Sequence, residues 1–304
     1  MLKSAQHIHF VGIGGIGMSA LALLLKQQGK QVSGSDQMDS DLLNSLRKAD
    51  IQVHIGHAAN HAESADLVVY SSAVKPDNPE RHYAEAHGIP EIRRAELLGQ
   101  IAQSYQQTLA IAGTHGKTTT TGMCGQILIT AGLEPSILVG GILPDLSSNL
   151  RLGKQNYIVV EADEYDRSFL ALKPTQIIVT TLEADHLDIY KDLQDVRDTF
   201  LQFISKLDDS GLLVLQGDDS ELLHLASRSP HPVVSYGLTN MPDYQAIDIE
   251  VNSFTSKFTI VKNGKKMGDI LLNMPGDHNV MNALGACALT HQMGIDFKHI
   301  KAGL

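Results

Sequence analysis

Ile8-His9-Phe10-Val11-Gly12-Ile13-Gly14-Gly15-Ile16-Gly17, read on to Gly34-Ser35-Asp36, decides the fold. The apolar run Ile8 to Gly12 predicts a strand, Ile16 to Gln28 a helix stopped by Gly29, and Gln31 to Asp36 the next strand. Strand, glycine turn, helix and strand in succession open a parallel α/β unit. Gly12, Gly14 and Gly17 fit G-x-G-x-x-G, with Gly15 between them. In that motif the backbone approaches a diphosphate at the helix N-terminus, and a carboxylate ending the second strand, here Asp36, accepts from ribose hydroxyls. The pattern specifies a diphosphate-ribose and not which one, since NAD, FAD and a UDP-sugar all carry that group. Glycines that merely permit a tight turn are the alternative.

Further strands are predicted at Gln52 to Ile55, Leu67 to Ser71 and Ile89 to Ile92, completing a doubly wound sheet. The segment Gly99 to Gln107 has no strand pattern and a fresh strand, Leu109 to Ala112, follows it, which puts a domain boundary near residue 106. Domains at 1–106 and 107–304 are expected. The second opens with Gly113-Thr114-His115-Gly116-Lys117-Thr118-Thr119 between a strand and a helix. Its backbone N–H groups can wrap phosphate oxygens, Lys117 can neutralise their charge, and the Thr118 hydroxyl can ligate Mg²⁺. Ile111 stands where G-x-x-x-x-G-K-[ST] would have its first glycine, so this loop is shorter than the usual phosphate loop. Strands follow at Tyr157 to Val160, Gln176 to Thr180 and Leu212 to Gln216, and a helix at Leu193 to Leu207. Alternation from Ala246 to Leu272 around Asn263-Gly264 predicts an antiparallel hairpin added to the parallel core.

Acidic residues exceed basic ones, 34 to 24, over 304 residues, so the chain lacks the positive charge that would hold it on a nucleic acid or an anionic membrane. Glycines interrupt the apolar run from Ile8 to Met18, and Ala20 to Leu25 is too short to span a bilayer. Cys124 and Cys287, far apart, suit neither a disulfide framework nor a paired metal site and read as buried small residues. A soluble, cytoplasmic protein is expected.

Three further groups carry chemistry. Glu161-Ala162-Asp163-Glu164 follows a strand at the carboxyl edge, where Glu161 can complete a hard-cation site begun by Thr118; Asp163 and Glu164 read as charges favoured at a helix start. Asp185-His186-Leu187-Asp188 brings an imidazole to the same edge, although a lone histidine is more often structural. Asn279 and Asn282 share a helix face and can read a base edge, or Asn279 can cap that helix.

Taken together and in order, GIGGIGMSALA at 12–22, SSAV at 71–74, GTHGKTTTT at 113–121, EADEYDRSFL at 161–170, DHLD at 185–188 and GDHNVMNALGA at 276–286 resemble the Mur ligases across essentially the whole chain. The resemblance implies a Rossmann-like UDP-sugar domain followed by a P-loop-type ATP-binding α/β domain. It implies an ATP-dependent ligase of peptidoglycan precursor synthesis that joins L-alanine to UDP-N-acetylmuramate through an acyl phosphate. Carried over by position, Gly14, Gly15 and Gly17 would hold the UDP diphosphate, with Asp36, Ser71 and Ser72 around the ribose and uracil. The segment Gly113 to Thr119 would hold the ATP phosphates, Lys117 foremost. Thr118 would bind one Mg²⁺, Glu161 with His186 a second, and Asn279 and Asn282 the adenine. Later members of that pathway carry a carbamylated lysine beyond their His-Asp motif; Thr199-Phe200-Leu201 stands in that neighbourhood here, which favours the alanine-adding type. The family has a third, C-terminal domain, and the sequence ends at Leu304 about where it would begin, so these residues are expected to bind nucleotides without completing the ligation alone. A ligase that attaches a whole tripeptide to the same sugar nucleotide, a non-catalytic nucleotide module, and a nicotinamide-dependent oxidoreductase remain as alternatives; the last leaves GTHGKTT without a role.

Overall fold

Strand β1 (His7–Val11) is the middle strand of a five-stranded parallel sheet, ordered β3-β2-β1-β4-β5. Its neighbours are β2 (Gln31–Asp36), β3 (Gln52–Ile55), β4 (Leu67–Tyr70) and β5 (Glu91–Arg93). All of β1 is buried, as a strand covered on both faces must be, and that includes His7 and His9. The order reverses between β1 and β4, so the segments after them, starting at Gly12 and Ser71, flank the switch point where such sheets bind ligands. Helix α1 (Ile16–Gln27) buries Met18, Leu21, Leu24 and Leu25; α2 (Asp41–Lys48), α3 (Pro79–Ala86) and α4 (Arg94–Ala102) complete this part. The structure is a computed structural model and describes residues 1–143, 148–183 and 189–304. They divide into two compact units, one of Met1–Ile101 with 140–142, the other of Ala102–Val139 with Leu143–Leu304.

The second unit is built on a ten-stranded mixed sheet, ordered β15-β14-β13-β12-β11-β10-β6-β9-β7-β8. Its parallel core comprises β6 (Gln107–Ala112), β9 (Tyr157–Glu161), β10 (Gln176–Val179), β11 (Leu212–Gln216) and β12 (Val233–Gly237). At one end β7 (Ser136–Leu143) joins β9 in parallel and pairs antiparallel with β8 (Ser148–Arg151), a ribbon the sequence reading missed because Gly140-Gly141 interrupts the apolar run. At the other end the added hairpin is larger than expected. Strand β13 (Tyr244–Val251) runs parallel to β12 and antiparallel to β14 (Ser256–Lys262), which returns as β15 (Lys265–Leu272). Asn263 and Gly264, at φ 48° and 75°, make that two-residue return; both central positions are left-handed, the hairpin geometry that Asn-Gly favours.

Helix α5 (Lys117–Thr130) packs on α8 (Asp277–Gln292) and α9 (Phe297–Gly303) over a core that includes Ile111, Ile127, Val159 and Leu284. Helices α6 (Leu193–Ile204) and α7 (Ser220–Arg228) pack together, and α7 lies on β11. Cys124 and Cys287 are fully buried, and burial pushes both thiols up, Cys287 to about 12. Among the described residues no helix is long and apolar enough to cross a membrane.

Candidate functional site

In the first unit the glycine segment turns from β1 into α1. Gly12 takes φ 82°, a left-handed conformation, and Gly15 is the N-cap of α1 with no side-chain cap. By contrast α2, α3, α6 and α7 are each capped by a side chain, those of Ser40, Asn78, Asp192 and Asp219. The Gly17 N–H has no acceptor among the described residues. Asp36 ends β2 and accepts the Gly14 N–H through Oδ2 at 2.8 Å, so this carboxylate shapes the loop while its Oδ1 stays available to a ligand hydroxyl. A pocket of about 580 Å³ opens here, lined by Gly12, Gly15, Asp36, His57 and Ser71 among others. Gly14, Gly17 and Ser72 are not in its lining. Two residues the motif reading did not single out stand here: His57, and Arg94, whose Nη1 would lie 3.1 Å from a Cβ on Gly17. Arg94 thus sets a guanidinium beside the α1 N-terminus, where a diphosphate would be bound.

In the second unit the loop between β6 and α5 is held from β10. Thr114 N–H donates to Thr181 O at 3.0 Å, His115 N–H to Thr181 Oγ1 at 2.9 Å, and Thr180 Oγ1 to Ala112 O at 3.1 Å. The N–H groups of Gly116, Lys117, Thr118 and Thr119 have no acceptor among the described residues, and α5 has no side-chain cap. Consecutive open N–H groups at a helix N-terminus form an anion cradle. Lys117 Nζ lies in it, donating to Gly113 O at 2.7 Å and to both Glu164 oxygens at 2.8 and 2.9 Å. Thr118 Oγ1 is 3.0 and 3.1 Å from the two oxygens of Glu161, at the end of β9. A hydroxyl beside a carboxylate is a hard oxygen pair of the kind Mg²⁺ accepts. His186 lies outside the described residues, and among these no group of three or more histidine, cysteine or acidic side chains converges on a cation site.

Glu164, expected to be a helix-start charge, is instead the partner of Lys117. A short 3₁₀ segment, Tyr165–Ala171, brings it there, with Asp166 and Arg167 both left-handed at φ 51° and 55°. Two adjacent non-glycine residues in that region are costly and persist only where the surroundings fix them. Here Arg167 is clamped by both Asp195 oxygens at 2.8 Å and lies over Tyr190, whose hydroxyl donates to Glu164 O at 2.6 Å. Burial and the Glu164 charge both push the Tyr190 phenol up, keeping it a donor. Asn282 and Asn279 stand behind the loop. Thr120 Oγ1 donates to Asn282 Oδ1 at 3.3 Å, and Asn279 Nδ2 donates to Pro275 O at 2.8 Å and caps no helix.

Each unit thus presents a loop that opens a helix with no side-chain cap, one beside a pocket and one with a lysine in a cradle of open N–H groups. The Mur ligase family, catalytic domain, matches residues 7–106 and the Mur ligase middle domain residues 111–290; the chain belongs to the Mur ligase family. It is 44% identical over 303 residues to the UDP-N-acetylmuramate–L-alanine ligase of Geotalea daltonii, covering 100% of this chain and 66% of that protein. The chain thus spans slightly less than two thirds of the curated relatives it matches. Among solved structures it is similar to UDP-N-acetylmuramate-alanine ligase MurC of Thermotoga maritima, with 32% identity and a TM-score of 0.85 over 98% of this chain and 67% of that one. It is also similar to UDP-N-acetylmuramate:L-alanyl-gamma-D-glutamyl-meso-diaminopimelate ligase of Neisseria meningitides, with 30% identity and a TM-score of 0.89 over 99% and 98%.

Proposed function

We propose that this chain supplies the UDP-sugar and ATP sites of a ligase that joins L-alanine to UDP-N-acetylmuramate, working in the cytoplasm. The observation that carries the reading is the pairing of a pocketed glycine loop with Asp36 in one unit and a lysine-bearing anion cradle in the other. An oxidoreductase would need only the first. Two functional domains, 1–106 and 107–304, correspond to the two ligands.

In the first, Gly15, Gly17 and Arg94 bind the diphosphate, Gly14 fixes Asp36, and Asp36, Ser71 and Ser72 address the ribose and uracil. In the second, the N–H groups of the loop from Gly113 to Thr119 and the Lys117 ammonium bind the ATP phosphates, so that positioning and charge stabilisation dominate catalysis. Asn279 and Asn282 support the adenine side. Thr118 would hold one Mg²⁺ and Glu161, with His186, a second, and the cations would supply neutralisation of phosphate charge. The muramate carboxylate attacks the γ-phosphorus of ATP with ADP leaving; the amine of L-alanine then attacks the acyl carbon with phosphate leaving.

The likeness to the Neisseria enzyme over 98% of its chain favours a second reading in which the amine is a tripeptide. Calorimetric titration with UDP-N-acetylmuramate and with NAD⁺ tests the first site: saturable binding of the UDP-sugar alone is expected, and binding of NAD⁺ instead contradicts it. Mass spectrometry of products formed with L-alanine or the tripeptide separates the two ligase readings.

A further inference from the structure

Behind the pocket of the first unit, in the first turn of α3, Glu80 is fully buried with five donors around it. Ser35 Oγ at 2.6 Å and His9 Nε2 at 3.2 Å reach Oε2. His61 Nδ1 at 3.0 Å, Ala58 N at 3.3 Å and His57 Nδ1 at 3.4 Å reach Oε1. Burial works to raise the Glu80 pKa, but His9, Ser35 and His61 outweigh it and hold the carboxyl at about 2, so it is ionised.

A chain of hydrogen bonds reaches it along β1. From Ser64 O, a pure acceptor, hydrogen bonds run to His7 Nδ1 at 2.7 Å, from His7 Nε2 to Ser33 Oγ at 2.8 Å, on to His9 Nδ1 at 2.8 Å, and from His9 Nε2 to the carboxylate. Ser64 Oγ, 3.2 Å from His7 Nδ1, shares the first of these.

Ser35 has a single hydroxyl proton, and at 2.6 Å from an ionised carboxylate it goes to Glu80. Ser35 Oγ, 3.0 Å from His57 Nδ1, can then only accept, so Nδ1 carries the ring proton. The other ring nitrogen, Nε2, makes no hydrogen bond among the described residues, and the ring lines the pocket beside Gly12, Gly15 and Asp36.

We propose that Glu80 is a positioning residue: through Ser35 and the Ala58 amide it fixes His57 as the Nδ1–H tautomer and presents Nε2 to the pocket as an acceptor for an N–H or O–H of the bound nucleotide. The ligand half rests on reading this pocket as the UDP-sugar site; the tautomer half does not.

Histidine ¹⁵N correlation spectra of the full chain near pH 8, with and without UDP-N-acetylmuramate, test both. Expected are a protonated Nδ1 and bare Nε2 at His57, with the Nε2 resonance moving when the ligand binds. E80Q should abolish the tautomer preference and weaken binding about tenfold, the loss of one good hydrogen bond, yet add less than about twofold in an H57F background. S35A, a smaller change, should scramble the tautomer in the same way. A proton on His57 Nε2 in the wild type, or an E80Q penalty as large in H57F as in the wild type, would overturn the proposal. An Nδ1–H tautomer whose Nε2 never responds to the UDP-sugar overturns the ligand half and the nucleotide reading of the pocket, while the E80Q spectrum alone decides the control by Glu80.

Discussion

The two glycine loops share a need for glycine but differ at the residue that caps the helix. In the second unit the fold itself excludes a side chain: Gly113 sits at φ 126° with a Cβ position 2.2 Å from Thr180 Oγ1, and Gly116 at φ 83° with one 2.3 Å from Asn282 Oδ1. In the first unit Gly12 is likewise left-handed and a Cβ on Gly14 would lie 2.7 Å from Asp36 Oδ2, but Gly15 has φ −65° with the nearest atoms to its Cβ position 3.6 Å away, so at Gly15 the fold would accept alanine and only a ligand in the pocket would object. The charges differ in the same sense. Lys117 is locked to Glu164 and Thr118 to Glu161, whereas Arg94 beside Gly17 has no ion pair among the described residues. Both loops are held by their own side chains, but only the first leaves room at its helix cap, Gly15.

The contrast can be broken at four points. Gly113→Ala should cost about 3 kcal/mol or more in urea unfolding, left-handed strain adding to overpacking; a loss below about 1 kcal/mol would erase the distinction. The first unit should weaken in acid through Glu80. Its pKa is depressed to about 2, so the stability it adds is complete above the ordinary glutamate range and drains away as pH falls toward that value. The amount is about 3 kcal/mol, seen as a slope in unfolding free energy from about pH 5 to about pH 2.5 that E80Q lacks. Asp36→Asn, which removes the charge facing the pocket, should weaken UDP-sugar binding about tenfold in calorimetry while Mg-ATP binding stays within about twofold. Gly15→Ala should leave thermal stability unchanged or up to about 1 kcal/mol higher, since alanine fits that φ, and lower only the affinity for the UDP-sugar.

Both loops were legible in the sequence because their glycines follow apolar runs at fixed offsets, and Asp36, Lys117, Thr118 and Glu161 were legible because each falls at a strand or helix end where its chemistry is needed. The parallel core followed from the same grammar. What stayed hidden depends on tertiary approach. Glu161, Asp163 and Glu164 carry the same chemistry in one short run, and only the strained turn at Asp166 and Arg167 decides that Glu164 reaches Lys117. Arg94 and His57 come to the first loop from α4 and from the segment after β3, with no spacing to announce them. The histidines of β1 read as ordinary strand residues, since nothing local shows that Glu80, far along the chain, closes their network.

The central claim is that two independent sites serve two ligands, and it is tested most directly by crossed titration. UDP-N-acetylmuramate and Mg-ATP are titrated into the wild type, Gly15→Val and Lys117→Ala. The valine variant is expected to lose the UDP-sugar alone and the lysine variant to bind ATP about a hundredfold more weakly alone, the worth of a buried cation on phosphate. Loss of both ligands in either variant, with the fold intact by circular dichroism, would contradict it.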